Sequence, residues 1–141
     1  KYFNDILFEN NWAEKDIFCK NKDLISRFKI EDNSLGLKPN QSSVFLTSCE
    51  FLIANKGSIL ICNEQLKNFK LKELPENLIV FSSINQFAND VSAGMTKLKN
   101  KYSKRLPSNI TTLNPKKLIE ENDFLSYGNS AKNIYLLLQD E

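Results

Sequence analysis

Two apolar runs, Phe51 to Ala54 and Ser58 to Cys62, are separated only by Asn55-Lys56-Gly57. Runs this short have the length of strands rather than helices. Asn and Gly accept the positive φ that a tight turn between antiparallel strands demands, so the segment predicts a β-hairpin. A hairpin must find other strands to pair with, and the rest of the chain supplies them. Leu78-Ile79-Val80-Phe81 and Asn133-Ile134-Tyr135-Leu136-Leu137-Leu138 are apolar almost throughout. Such runs are the mark of strands covered on both faces, as in a parallel sheet between helices.

Helical signals alternate with these strands. Asp16-Ile17-Phe18-Cys19 reads as a strand, and Leu24, Ile25 and Phe28 follow at helical spacing. Residues 31–43 cluster Asn, Ser, Gly and Pro and read as an exposed loop. Phe87, Val91, Met95, Leu98 and Tyr102 recur at spacings of 4, 4, 3 and 4, which predicts a helix from Ser83, as N-cap, to about Tyr102. Lys97, Lys99 and Lys101 near its end complement the helix dipole. Ile110 to Leu113 reads as a further strand, and Asn114-Pro115 opens a short helical piece through Leu118 and Ile119. The pattern is α/β, with a mostly parallel sheet flanked by helices and one antiparallel hairpin near 51–62.

Composition narrows the function. At 41% hydrophobic residues, the 141-residue chain is expected to fold as a single domain with a real core. Its 19 Lys and Arg nearly balance 17 Asp and Glu, leaving a charge of +2, which points neither to nucleic acid nor to an anionic membrane. Its apolar stretches fall far short of the ~20 residues a transmembrane helix needs. Cys19, Cys49 and Cys62 sit in or beside apolar runs and read as buried thiols. With no histidine and no CxxC pair, neither zinc nor an iron–sulfur cluster is expected on this chain, and Ser-His-Asp or Cys-His nucleophile systems are excluded.

Thr47-Ser48-Cys49-Glu50-Phe51-Leu52-Ile53-Ala54-Asn55-Lys56-Gly57-Ser58-Ile59-Leu60 resembles the signature of the lactate-utilisation (LUD) domain family. Leu106-Pro107-Ser108-Asn109-Ile110-Thr111 resembles a second family segment, and Lys132 to Leu138 the closing strand. The resemblance extends over roughly residues 44 to 139. It implies the fold of the sugar-phosphate isomerase and CoA-transferase group. It also implies that residues 1–141 are one LUD-like domain lacking an N-terminal helical segment. The function implied is that of a cytoplasmic accessory or ligand-binding subunit in the oxidation of L-lactate to pyruvate. Such a subunit, bare of iron–sulfur motifs, would bind a small anionic metabolite beside iron–sulfur partners from the same operon. The alternatives are an isomerase or acyl-transferase type of enzyme using Glu50, or a non-catalytic assembly module for an iron–sulfur partner.

Site candidates follow from the hairpin and the strand ends. Glu50 would act as a base if burial raised its pKa, or as a nucleophile, since CoA-transferase relatives use a glutamate. Thr47, Asn55, Lys56, Gly57 and Ser58 form the family landmark that would line a ligand site. Lys56 reads either as an exposed turn residue or as a ligand for carboxylate or phosphate. Ser82-Ser83 follows the Leu78–Phe81 strand, where α/β sheets place ligands, and reads as a helix cap or an anion site. Ser108 and Asn109 either hydrogen-bond their own turn or present an amide to a ligand. An enzyme would bring Glu50, Lys56 and Asn109 into one pocket.

Overall fold

A computed structural model describes residues 2–31, 35–55, 57–115 and 131–139. Four helices, α1 (Tyr2–Asn10), α2 (Lys22–Arg27), α3 (Asn63–Leu66) and α4 (Val91–Lys101), accompany eight strands among these residues. The strands are β1 (Ile17–Phe18), β2 (Val44–Ser48), β3 (Phe51–Ile53), β4 (Ser58–Ile61), β5 (Asn77–Ser83), β6 (Phe87–Ala88), β7 (Thr111–Pro115) and β8 (Ala131–Gln139). They hydrogen-bond in the order β1-β2-β5-β8-β7-β4-β3-β6. Pairing is parallel from β1 through β2 and β5 to β8, between β8 and β7, and between β3 and β6. Only β4 runs antiparallel to its neighbours, β3 and β7. The architecture is therefore α/β, with a mostly parallel sheet flanked by helices and the antiparallel hairpin that the turn residues predict.

The period of two explains why the central strands are apolar throughout. Leu78 and Val80 of β5 enter one core while Ile79, between them, enters another, and Phe45 lies opposite Val44 and Leu46 in the same way. The Ile79 side is covered by Phe3 of α1 and by Leu24 and Ile25 of α2. On the Leu78 side the cover is the hairpin itself, through Leu52, Ile59 and Ile61. The sheet thus curls back over its own face. The hairpin's other face, Ile53 and Leu60, packs on Leu98, Val91 and Met95 of α4. Burying Leu98 completely stabilises this docking by about 1.5–3 kcal/mol. Close approach is possible because Gly94 faces the hairpin, where a Cβ would come 2.9 Å from Cδ1 of Ile53.

Several expectations are corrected. The long helix begins at Val91, not after Ser83, and its N-cap is Asp90, whose carboxylate accepts the Ala93 N–H at 2.7 Å. Phe87 fits the helical stripe by spacing alone, yet it lies in β6, which pairs with β3. Residues 31–43 are not a wholly exposed loop: Leu35 is buried in the core under α1 and α2. Asn114 and Pro115 continue β7 instead of opening a helix, and the rest of that predicted piece, through Leu118 and Ile119, lies outside the described residues. Finally, β8 is not covered on both faces throughout, since Leu136 and Leu138 are exposed. Beyond Lys132 this strand has lost β7, and among the described residues it pairs with β5 alone. Among the described residues, no helix is long and apolar enough to cross a membrane.

Candidate functional site

Glu50 lies two residues beyond the carboxyl end of β2, where the chain leaves the parallel strands for the hairpin. Its N–H donates to the Leu60 carbonyl at 2.9 Å, and its own carbonyl accepts from Nε2 of Gln86 at 3.1 Å, so the backbone is held from both sides. Its carboxylate has no solvent exposure and gathers donors from the end of α4 and from α3. Nζ of Lys101, the last residue of α4, meets Oε1 at 2.6 Å, and the hydroxyl of Tyr102 donates to Oε2 at 2.7 Å. Nε2 of Gln65, in α3, donates to the same Oε2 at 2.7 Å. The thiol of Cys62 lies 3.4 Å from Oε2 and 3.3 Å from Oε1 of Gln65, which also accepts the Cys62 N–H. Thr47 closes the ring by donating its hydroxyl to the Gln65 carbonyl at 2.8 Å.

This geometry decides the protonation state. Burial pushes the Glu50 carboxyl up, but the hydrogen bonds from Lys101, Gln65 and Tyr102 outweigh it and hold the pKa below the ordinary value. The expectation of a burial-raised base is therefore reversed, and Glu50 is a carboxylate at neutral pH. Around it the other groups keep their protons. Burial and the bond to Glu50 raise the Tyr102 phenol, and burial, reinforced by the Glu50 charge, pushes the Cys62 thiol up to about 11. Cys49 is likewise pushed up to about 11 by burial, against a hydrogen bond from Ser82. The cluster binds charge firmly and offers no thiolate nucleophile. Lys101 reaches solvent, with a side chain 51% exposed while it pairs with the buried carboxylate.

The remaining candidates fall in separate places. Gly57 has φ of +61° in the hairpin turn, Asn55 is exposed and gives its N–H to the Asn89 carbonyl, and Lys56 lies outside the described residues. Ser58 is buried, and its hydroxyl has no hydrogen-bond partner among the described residues. Its register partner is Ile53, on the hairpin face against α4, and a cavity of about 300 Å³ lies on the other face, lined by Leu52, Ile59, Phe87, Ile134 and Leu136. Ser82 and Ser83 end β5 and are tied to Gln86, whose Oε1 accepts the Ser83 N–H at 2.8 Å and the Ser82 hydroxyl at 3.3 Å. With α4 starting further on, no helix N-terminus stands at this serine pair. Ser108 accepts the Asn63 N–H on its carbonyl and donates its own N–H to Oδ1 of Asn63, and Asn109, at φ of +56°, lines a different cleft of about 440 Å³ with Phe69, Lys70 and Thr111. Among the described residues, the cavity at the hairpin turn is lined by neither Glu50 nor Asn109.

Lys101, Tyr102, Gln65 and Cys62 are the members sequence reasoning missed. Lys101 and Tyr102 read as helix-end charge and helix stripe, and nothing in spacing links them to a residue 51 and 52 positions earlier. Among the described residues, no group of three or more His, Cys, Asp or Glu is placed to hold a metal.

The family model of the LUD domain matches residues 4–138. The fold is similar to the crystal structure of a DUF162 family protein from Deinococcus radiodurans, at 11% identity and a TM-score of 0.53, covering 96% of this chain and 81% of that one. At that identity the likeness speaks for the fold alone. No curated protein matches the chain.

Proposed function

The chain belongs to the LUD domain family, and from that premise we propose that it is a cytoplasmic accessory subunit of lactate utilisation, binding a small carboxylate for chemistry that iron–sulfur partners complete. One observation carries this reading. Glu50, the residue a covalent or general-base mechanism would use, is already engaged by Lys101, Gln65 and Tyr102. A carboxylate so held is a poor proton acceptor and a hindered nucleophile. Lys101, by contrast, keeps capacity. An ammonium has three N–H donors, the bond to Glu50 uses one, and half of the side chain faces solvent. A lactate or pyruvate carboxylate reaches those donors without disturbing the buried cluster.

A second reading rests on the same exposure. If Lys101 swings into solvent, Oε1 of Glu50 is freed, and the cluster becomes that of an acyl-transfer enzyme with Glu50 as nucleophile. The assembly-module reading needs no small ligand at all. Calorimetric titration of lactate and pyruvate separates the three. The accessory reading expects binding that is lost in Lys101→Gln and kept in Lys99→Gln. Equal affinity in Lys101→Gln and the parent overturns the placement at Lys101. Acyl transfer abolished by Glu50→Gln establishes the enzyme instead, and silence toward every small acid, with capture of an iron–sulfur partner, establishes the assembly module.

A further inference from the structure

Between Ser48, the last residue of β2, and Phe51, the first of β3, the chain leaves the parallel ladder, whose final β2–β5 pair is Ser48 with Phe81. Gln86 fills the gap that opens there. Its Nε2 donates to the Cys49 carbonyl at 2.8 Å and to the Glu50 carbonyl at 3.1 Å. Its Oε1 accepts the Ser83 N–H at 2.8 Å and the Ser82 hydroxyl at 3.3 Å. A carboxamide has two donor hydrogens and two acceptor lone pairs, and here all four are used. Nor can the amide be turned over, since a carbonyl only accepts and a backbone N–H only donates. The backbone of Gln86 adds two bonds more, from its N–H to the Ser83 carbonyl at 3.0 Å and from the Leu52 N–H to its carbonyl at 2.6 Å. One residue thus ties together the end of β5, the turn that carries Glu50, and β3.

What stands on those ties gives Gln86 a further role. Glu50 sits in the turn, while the groups that hold its charge come from elsewhere, Gln65 from α3 and Lys101 and Tyr102 from the end of α4. Gln86 leads through β6 into α4, so it sets the approach to that helix against the turn. Hydrogen bonds at 2.6 and 2.7 Å need such alignment, because they weaken steeply as the donor angle closes. If the turn slipped, the donors would loosen and burial, the largest influence on the Glu50 carboxyl, would prevail. Lys97 ties the same segment to α4 by a bond that does not involve the turn, from its Nζ to the Phe87 carbonyl at 2.7 Å. We propose that Gln86 is a positioning residue: its carboxamide holds the Cys49–Glu50 turn where the carboxylate meets Lys101, Gln65 and Tyr102 together, and through Glu50 it places the Lys101 ammonium for a ligand. Only the placement of Lys101 rests on the anion site proposed above; the hold on Glu50 stands without it.

The test follows the Glu50 carboxyl by ¹³C NMR titration in the full chain. Gln86→Met keeps the length of the side chain and removes all four of its bonds, and Gln86→Asn keeps the amide but falls a methylene short of the two carbonyls. Lys97→Met is the control. A merely structural role would lower the melting point in all three and leave the Glu50 midpoint where it is in the parent. Positioning raises that midpoint in both Gln86 variants, toward or past the ordinary glutamate value of about 4.3, and leaves it unchanged in Lys97→Met. An unchanged midpoint in either folded Gln86 variant overturns the proposal, as does an equal rise in Lys97→Met. The parent supplies a readout that does not depend on a variant folding. The Nε2 proton signals of Gln86 should shift with the Glu50 midpoint, and signals that stay flat through it overturn the proposal. Lactate titration tests the link to Lys101: Gln86→Met should bind about fivefold more weakly, the equivalent of one net hydrogen bond, and affinity equal to the parent's overturns that link. A parent that ignores lactate overturns the anion site at Lys101 and leaves the Glu50 midpoint to decide for Gln86.

Discussion

Replacing Glu50 by Gln keeps the shape of the buried side chain and removes its charge. The carboxylate receives Lys101 at 2.6 Å and Gln65 and Tyr102 at 2.7 Å each. A glutamine there can turn its one oxygen toward Gln65 and Tyr102, which leaves its own NH₂ facing the Lys101 ammonium, donor against donor. Two charge-assisted bonds become neutral ones, at a loss of about 1 kcal/mol each. The half-exposed lysine moves into water, and its pairing is worth less than about 1 kcal/mol after solvent screening. Relief from burying a charge returns part of this, so Glu50→Gln should destabilise by about 2 kcal/mol. At about 4 °C per kcal/mol for a chain of this length, the melting point falls by about 8 °C. Urea unfolding followed by the fluorescence of Trp12, the one tryptophan of the chain, reads the difference. The sign of its pH dependence is fixed too. The folded pKa of Glu50 lies below the unfolded value of about 4.3. The stabilisation is therefore complete above that unfolded value and is lost as pH falls through the folded one. The gap between parent and variant should be full at neutral pH and close on acidification. A gap under about 0.5 kcal/mol at pH 7, or one that widens in acid, refutes the reasoning.

Three other outcomes follow from local geometry. Gly57→Ala should cost about 1–2 kcal/mol for the left-handed φ of +61°, with no steric term because the space is open; chemical denaturation checks it against Gly57→Asn, which should cost less. Gly36→Ala meets a different obstacle, since its Cβ would lie 2.9 Å from the Lys15 carbonyl oxygen and 3.2 Å from that of Ile17, and backbone cannot step aside; a loss of about 1–3 kcal/mol in the same assay is expected. Cys49 and Cys62, both buried and held protonated, should resist a disulfide reagent in the native protein at pH 8 and react only after denaturation; a thiol titrating within seconds would contradict their placement.

The sequence was most legible where the signal was local. Asn55 and Gly57 announced the hairpin, and the uninterrupted run from Leu78 to Phe81 announced a strand with cores on both sides. Legibility failed where a distant residue decided the outcome. Phe87 fitted the helical stripe, but pairing with β3 and the side chain of Gln86, which bonds the Cys49 and Glu50 carbonyls, hold that segment extended. The cap is Asp90, which was not singled out because the apolar period runs past it to Phe87. Glu50 could be singled out, yet its environment could not. Its charge state depends on Lys101, Gln65 and Tyr102, which reach it only after the hairpin, α3 and α4 have packed. Asn109 illustrates the remaining ambiguity: its positive φ accounts for an asparagine there as turn chemistry.

Whether Glu50 is a carboxylate held ionised by its donors is read directly by a pH titration of the side-chain carboxyl carbons, by ¹³C NMR in protein labelled at glutamate. Glu50, assigned by its absence in Glu50→Gln, should titrate below the ordinary glutamate value of about 4.3. A midpoint at or above that value would mean that the donors do not hold the charge and would return Glu50 to the role of an available base.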